Sequence, residues 1–396
     1  MSTAVTIRSL PRAFEVVKSM QAQGLEWGEG YRALGRDAIA AIVRGQMSQS
    51  IDEHLDRMAV LAEADRRNGS YRRHLLTELG DIELAVPRTR HFAPIAVVRA
   101  YARRARELDR MILSCFVLGL STRKVGEALL PILGRPISAA TVSGVAKQLD
   151  AVVAAFHARP LKQRYRVLML DGVVLARKTG AGAIRRPVLV ALGIRPDGKK
   201  EVIDFRLAQS ESAAEWERFL GDLICRGLDG EALEMICIDG GAGLRAALST
   251  AYPGIPVQRC WAHKIRNILD KVRASDHDAA KADLHAIMNA KTLPRARSAA
   301  RRFAHAWQAD YPNAVKCLRN DLDELFTCWR YETLEERKKV RTTNAIERRF
   351  REVRRRTRPM GVFSDRTSMD RILFAVFNHE NRNQGLTTPL LLTQTF

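Results

Sequence analysis

The sequence predicts a mixed α/β chain: a central sheet flanked by helices, with mostly helical segments before and after it. Three observations carry that prediction. Five short apolar segments between residues 165 and 260 are interleaved with segments of helical period. Outside that window, apolar residues recur mainly at helical spacing. A hydrophobic content of 46 % over 396 residues supplies more than one core and excludes a wholly disordered chain.

Residues 31–64 carry a long apolar-periodic run, and Tyr71 to Arg90 alternates about a Leu79-Gly80-Asp81 turn, the pattern of a hairpin. Residues 108–150 read as successive helices. One opens at Thr122 with Arg123 and Lys124, Gly134 to Pro136 break it, and Ser138 is placed to cap the next, Ala139 to Leu149. Helix, glycine-containing turn and helix give the outline of a helix-turn-helix, whose second helix enters the major groove in DNA-binding versions. Any helical hairpin shares that outline.

The central segment opens with an apolar run, Arg166 to Asp171, ending in an acid. Pro187 to Ile194 and Lys200 to Leu207 follow as strands about a Pro196-Asp197-Gly198 turn. Ser210 to Cys225 is helical. Glu234 to Asp239 is a fourth strand ending in an acid, Gly243 to Ala251 a short helix, and Ile255 to Arg259 a fifth strand. The order βββαβαβ is an antiparallel meander continued by alternating units. Arg177 to Arg186 reads as a Gly- and Arg-rich loop in contact with DNA.

From residue 261 the chain is helical and increasingly basic. Arg348, Arg351 and Arg355 share one face of the segment Asn344 to Thr357 by their i, i+3 and i+4 spacing. Over the whole chain, 65 Lys and Arg against 44 Asp and Glu give a formal charge of +21. That excess disfavours an ordinary metabolic enzyme and favours a polyanionic partner, nucleic acid first. No apolar stretch reaches the roughly 18 residues of a membrane span. Six scattered cysteines without a C-x-x-C pair fit a reduced, cytoplasmic chain rather than a disulfide scaffold.

Asp171 and Asp239 each close an apolar strand, and strand ends are where open sheets meet ligands. Hard divalent cations take carboxylate oxygens, and two such ions serve in-line displacement at phosphorus. Glu347, inside the arginine-rich helix, is the best third carboxylate by context. Bland readings stand beside these. Asp171-Gly172 and Asp239-Gly240 are turn dipeptides, and Asn344-x-x-Glu347 has capping-box spacing. Glu211, Glu215 and Glu217 read as helix-surface acids. Gly241-x-Gly243-x-x-Ala246 follows a strand as a dinucleotide fingerprint would, but Asp239 would repel the pyrophosphate. Cys260-x-x-His263 lacks the second pair that a structural zinc site needs.

In combination the motifs resemble the Mutator-type transposases of bacterial insertion sequences, the type represented by insertion sequence 256. The resemblance rests on Leu170-Asp171-Gly172, on Glu211-Ser212 with Trp216, on Asp239 to Leu248, on Gln258 to Asn267, and on Arg341 to Arg348. Thr77-x-x-Gly80, Val86 to Arg90 and Leu120 to Arg123 extend it upstream, so that it covers roughly residues 65–385. It implies a ribonuclease-H-like core in which Asp171, Asp239 and Glu347 hold two Mg²⁺ or Mn²⁺ ions, and it makes Cys260 and His263 a family signature.

The expected organisation is an N-terminal helical and hairpin DNA-binding region over 1–105 and a helix-turn-helix-like region over 106–160. The core comprises 161–263 and 336–385, a helical insertion spans 264–335, and a tail spans 386–396. The expected activity is DNA transposition: metal-dependent cleavage at element ends, then transfer of the 3′-hydroxyl to target DNA. Arg123, Lys124 and Ser138 would read terminal inverted repeats, and Arg348, Arg351 and Arg355 would hold phosphate. The expected setting is a homodimer or larger assembly on double-stranded DNA, cytoplasmic and nucleoid-associated, with no membrane partner. A non-catalytic DNA-binding regulator and a structure-selective nuclease on the same core are the alternatives.

Overall fold

The computed structural model describes residues 27–77, 79–97, 106–117, 120–133, 137–161, 164–179, 182–357 and 366–386, with positions 22 and 24 besides. Two compact units divide the chain between Gln148 and Leu149. In the first, helix α1 (Trp27–Val60) covers a two-stranded antiparallel sheet of β1 (Arg67–Thr77) and β2 (Gly80–Thr89). The alternation of the hairpin places Leu75, Ile82, Leu84 and Val86 on one face, against Ala40, Val43 and Met47 of α1. The predicted turn is closed by Thr77, whose hydroxyl donates to the Gly80 carbonyl at 2.8 Å and accepts from the Leu79 amide at 3.2 Å.

Three short helices complete this unit: α2 (Arg106–Val117), α3 (Thr122–Leu133) and α4 (Ala139–Ala146). Ser138 caps α4 as predicted, its hydroxyl accepting from the Thr141 amide at 3.1 Å. Helix α4 stops short of the predicted Leu149. The Gln148 amide bonds the Val145 carbonyl, three residues back, at 3.0 Å, which tightens the last turn and ends the α ladder. Arg123 and Lys124 are exposed on α3. The predicted breaker, Gly134 to Pro136, lies outside the described residues.

The second unit opens with α5 (Leu149–Ala158) and holds a five-stranded mixed sheet. Its strands are β3 (Val167–Thr179), β4 (Gly182–Ile194), β5 (Lys200–Leu207), β6 (Met235–Ile238) and β7 (Val257–Arg259). They lie in the order β5-β4-β3-β6-β7. The β3–β4–β5 part is antiparallel, while β3–β6 and β6–β7 pair parallel. Helices α6 (Ala213–Cys225) and α7 (Ala242–Ala251) bury Trp216, Phe219, Leu244 and Leu248 against Leu168, Leu170, Ile236 and Ile238. Val167 and Met169, pointing the other way, are also buried, which is why β3 begins as an unbroken apolar run. A Cβ at Gly243 would lie 2.3 Å from the Glu211 carbonyl oxygen, so the close approach of α6 and α7 accounts for a glycine that also fits a dinucleotide fingerprint.

Two predictions about this sheet need correction. Strand β3 does not end at Asp171. It continues beside β4 to the pair Thr179↔Gly182, and only its parallel partner β6 stops, at Leu170↔Ile238. The predicted loop Arg177 to Arg186 is the far part of this ladder except for residues 180 and 181, which lie outside the described residues. Antiparallel pairing needs only a continuing partner, so β4 carries β3 past the acid.

After β7 a helical segment forms its own apolar core. It comprises α8 (Trp261–Leu269), α9 (His277–Met288), α10 (Leu293–Trp307), α11 (Pro312–Asn320), α12 (Leu322–Phe326) and α13 (Leu334–Val340). Trp261, Ile268, Leu284, Phe303, Val315 and Leu325 are buried within it. The chain then returns with α14 (Asn344–Thr357) and α15 (Arg366–Asn383). Phe350 of α14 and Phe377 of α15 meet edge to face at 5.5 Å, and Phe377 meets Phe205 of β5 at 5.3 Å. Among the described residues no helix is long and apolar enough to cross a membrane.

Strand β5 carries a bulge, since Ala191 pairs Asp204 while Leu192 pairs Val202. Buried Asn381 of α15 satisfies the backbone there: its Oδ1 accepts from the Val202 amide at 2.8 Å and its Nδ2 donates to the Val202 carbonyl at 3.0 Å. Asn381→Leu leaves both groups buried and unpaired, at about 1–3 kcal/mol each. Urea unfolding should therefore show a loss of roughly 2–6 kcal/mol; a loss under 1 kcal/mol would mean that water replaces the amide.

Candidate active site

The parallel register builds the site. Leu170 of β3 and Ile238 of β6 are the last paired residues, so Asp171 and Asp239 follow side by side at the open end of that pair. Asp171 is 3 % exposed, and its Oδ2 has no hydrogen-bond partner among the described residues. Asp239 is half-buried, and its Oδ1 accepts from the Gly241 amide at 2.9 Å. The turn reading of Asp239 is thus correct as far as it goes, and it leaves the second oxygen uncommitted to that turn.

Glu347 arrives from α14. The residue that precedes this helix is Thr343, whose carbonyl accepts from the Ile346 amide at 2.8 Å. The Glu347 carboxylate lies with Oε1 3.4 Å from His263 Nε2 and 3.8 Å from Arg266 Nη2. Asn344 is already the first helical residue, one place inside the cap position that the capping-box spacing assumes. Asp171, His263 and Glu347 line one cavity of about 760 Å³ with Arg266, Arg351, Arg354 and Arg355.

A fourth carboxylate joins them. Glu211 sits just before Ser212, the N-cap of α6, and a Cβ at Gly172 would lie 2.7 Å from its carboxyl carbon. Only glycine at 172 leaves room for that side chain as it stands. Burial and then Asp239 push the Glu211 carboxyl above its usual range. Sequence reading passes over Glu211 as a surface acid. The available signal is its place immediately ahead of a capping serine, where a side chain projects beyond the helix end.

The electrostatics follow from this crowding. Burial pushes Asp171 up to about 7; His263 opposes the shift, while Asp239 and Glu347 add to it. His263 moves up to about 9, held by the neighbouring Cys260 first and by Asp171 and Asp239 after it, against its own burial. Cys260 is fully buried, and its sulfur accepts from the Thr343 amide at 3.3 Å and hydroxyl at 3.5 Å. The Thr343 hydroxyl also lies 3.4 Å from His263 Nδ1. The Cys260 and His263 signature thus ties the end of β7 to the start of the helix that carries Glu347.

A profile of the family described as "Transposase, Mutator family" matches residues 12–385. The chain belongs to the Mutator family of transposases. It is 32 % identical to the transposase of insertion sequence element IS905 from Lactococcus lactis over 81 % of each chain. It is 30 % identical to that of ISRM5 from Rhizobium meliloti, over 87 % of this chain and 88 % of the relative. The transposase of IS256 in transposon Tn4001 from Staphylococcus aureus is 31 % identical over 78 % of this chain and 80 % of the relative.

In this Mutator-family chain the arginines of α14 sort by face. Arg351, Arg354 and Arg355 line the cavity, and Arg348 is exposed outside its lining. Arg349 and Arg356 turn inward: Arg349 donates to the carbonyls of Ala345 and Lys200 at 3.0 and 3.1 Å, and Arg356 pairs with Glu352 at 2.8 Å. Arg355 also bonds Glu352 at 3.1 Å, whereas Arg351 and Arg354 have no such partner among the described residues. Arg354 and Arg266 are lining residues that sequence reading does not single out.

The donor set suits hard divalent cations, since an orphaned buried carboxylate oxygen stands among mutually repelling acids. Among the described residues no group of three such side chains is placed to hold a metal ion, and Glu347 lies toward His263 and Arg266. In the metal-free protein Asp171 favours the fold fully below pH 3.8, and that contribution is lost as pH rises through about 7. His263 acts with the same sign, favouring the fold below 6.5 and losing that as pH passes about 9. At about 1.4 kcal/mol per pK unit, Asp171→Asn should melt above wild type in chelator at pH 8, with the gap narrowing toward pH 5.5. Millimolar Mg²⁺ should raise the melting temperature of wild type alone. Scanning calorimetry that finds equal melting at both pH values would remove the buried charge from this account.

Proposed function

We propose that the chain is an insertion-sequence transposase that cuts DNA at the ends of its element and joins them to target DNA on a ribonuclease-H-like core. The observation that carries the reading is the parallel register that sets Asp171 beside Asp239, with Glu347 across an arginine-rimmed cavity. The sheet order β5-β4-β3-β6-β7, with three antiparallel strands continued by two parallel ones, supports the core assignment. The relatives, all transposases of insertion sequence elements, support an insertion-sequence end as substrate.

Asp171, Asp239 and Glu347 would hold two Mg²⁺ or Mn²⁺ ions, which supply activation of water and stabilisation of the leaving oxygen. The first displacement forms a bond from water oxygen to phosphorus and breaks the bond to the 3′-oxygen, which leaves as a 3′-hydroxyl beside a 5′-phosphate. In the second, that hydroxyl attacks a target phosphodiester and the target's own 3′-oxygen leaves. Arg351 and Arg354 hold the flanking phosphates, and His263 holds Glu347 until the substrate is seated. Both displacements are direct, so the reading expects no covalent protein–DNA intermediate. In the first unit, α3 and α4 would read the terminal repeats through Arg123 and Lys124. Ser138 serves there as the cap that shapes the helix start.

The test supplies the gene with its native flanking DNA in cells and sequences new insertion junctions and joined-end circles. Asp171→Asn, Asp239→Asn and Glu347→Gln should each remove several kcal/mol of barrier stabilisation, on the order of a thousandfold fewer junctions. Junction counts like those of wild type in all three would overturn the assignment. In purified protein, Arg351→Ala with Arg354→Ala should reduce the slope of log K against log salt by about 2, at about 0.9 per lost phosphate contact. The choice of element end should not change, and a changed choice with the original slope would contradict the division between reading and holding.

A further inference from the structure

The helical segment after β7 holds a second cationic site, away from the acids. Helix α10 carries Arg295, Arg297, Arg301 and Arg302 and no acid. Arg297, Arg301 and His305 recur every fourth residue, one above the next at about 6 Å along the axis. They line a groove of about 450 Å³ between α10 and α11, and Arg319 of α11 lines it with them. Its floor is apolar, with Ala300 and Ala304 of α10 beside Leu318 of α11 and Leu322 and Phe326 of α12.

The four basic side chains are exposed, and among the described residues none of them has a hydrogen-bond or ion-pair partner. Nearby acids are engaged elsewhere. Asp321 pairs with Lys264 and, at 3.6 Å, with Arg245; Glu324 also pairs with Arg245. Asp283 accepts from the Trp307 indole at 2.9 Å, and Asp276 accepts from the Tyr311 hydroxyl. Asp323 lines the groove itself but pairs with none of its arginines. Three guanidinium groups over one groove repel one another, and Asp323 is the single acid in the described lining against them.

We infer that this groove binds the sugar–phosphate backbone of duplex DNA, and so forms a second DNA-holding surface separate from the catalytic cavity. The inference rests on the transposase reading above. Planar guanidinium forks match phosphate oxygens in pairs. Ala300 and Ala304 let a strand approach α10 closely, and Arg297, Arg301 and His305 at one helical period present successive donors along it. Such contacts carry affinity and no base sequence, so this surface adds grip to whatever DNA the active site holds.

The experiment compares two charge-matched variants of the full chain. One is Arg297→Ala, Arg301→Ala and Arg319→Ala, within the groove. The other is Arg295→Ala, Arg302→Ala and Lys316→Ala, on the same two helices but outside the groove lining. All six side chains are exposed, so both variants should melt with wild type. Fluorescence anisotropy on an element-end duplex extended by flanking DNA is read across a salt series. The groove variant should lose about 2.7 from the salt slope, for three phosphate contacts at about 0.9 each, and the matched variant less than about 1. Equal losses would show that net charge alone is felt, and no loss in either would show that DNA does not reach the groove; both overturn the inference. An unchanged DNA slope with weakened binding of a polyglutamate probe would assign the groove to an acidic protein and overturn it as well. Asp171→Asn, which should abolish junctions and keep the full slope, fails or passes separately and reports on the catalytic reading alone.

Discussion

Four carboxylates gathered at the open end of one parallel strand pair are the constraint on which this molecule depends. Two of them, Asp171 and Asp239, cannot move apart, because the backbone register of β3 and β6 fixes their origins. A buried carboxylate without a partner is costly, and each neighbour of like charge adds to the cost. The fold offsets part of it with His263 and Arg266 beside Glu347 and leaves Asp171 Oδ2 with nothing. A structural core would have replaced such a residue with an apolar one at a gain in stability. Asp171 follows the apolar run Val167 to Leu170 of β3, where its charge is costly to the fold.

The helix that completes the site faces the opposite problem. Helix α14 carries Arg348, Arg349, Arg351, Arg354, Arg355 and Arg356 within one stretch. It is held because its arginines divide between two surroundings. Arg349 and Arg356 are buried and bonded to carbonyls or to Glu352, so they act as structural donors, while Ile346, Phe350 and Val353 bury its apolar stripe. The others turn outward, and Arg351 and Arg354 face the cavity unpaired. A lone helix of this composition would be frayed by its own charge. Packed on the sheet, it presents a carboxylate and a row of cations on the same face, a combination suited to cations and phosphate together.

Much of this was legible in the sequence, and the exceptions have local causes. Runs of alternating or continuous apolar residues located all five strands, and turn residues such as Pro196 to Gly198 separated them. The end of β3 was misread because an acid after an apolar run looks like a terminus, whereas a continuing antiparallel partner decides where a strand stops. The pairing of Asp171 with Asp239 is a matter of register between strands some 60 residues apart, which no local pattern contains. Glu347 was visible by context, but its spacing from Asn344 pointed first to a cap. What separates the two is the direction of its side chain, set by His263 from a different helix. Glu211 was missed for the same reason: its neighbour is Gly172, and a glycine contributes no pattern of its own.

The long segment between Asp239 and Glu347 is not a loose addition to the core. Arg341 donates to the Met288 carbonyl at 2.6 Å and to Asn289 Oδ1 at 2.9 Å, at the end of α9. Arg337 reaches the Lys291 carbonyl at 3.2 Å in the turn that leads into α10. The Trp261 amide, at the first residue of the segment, donates to the Arg341 carbonyl at 3.1 Å. Both ends of the α9–α10 turn are thus fastened to the few residues that precede Thr343 and Glu347. These buried, charge-assisted bonds to carbonyls are among the stronger contacts available to a protein. A load placed on α10 is therefore carried directly to the start of α14. The α9–α10 turn and the residues that lead into α14 are thus parts of one bonded network, and Glu347 stands at its edge.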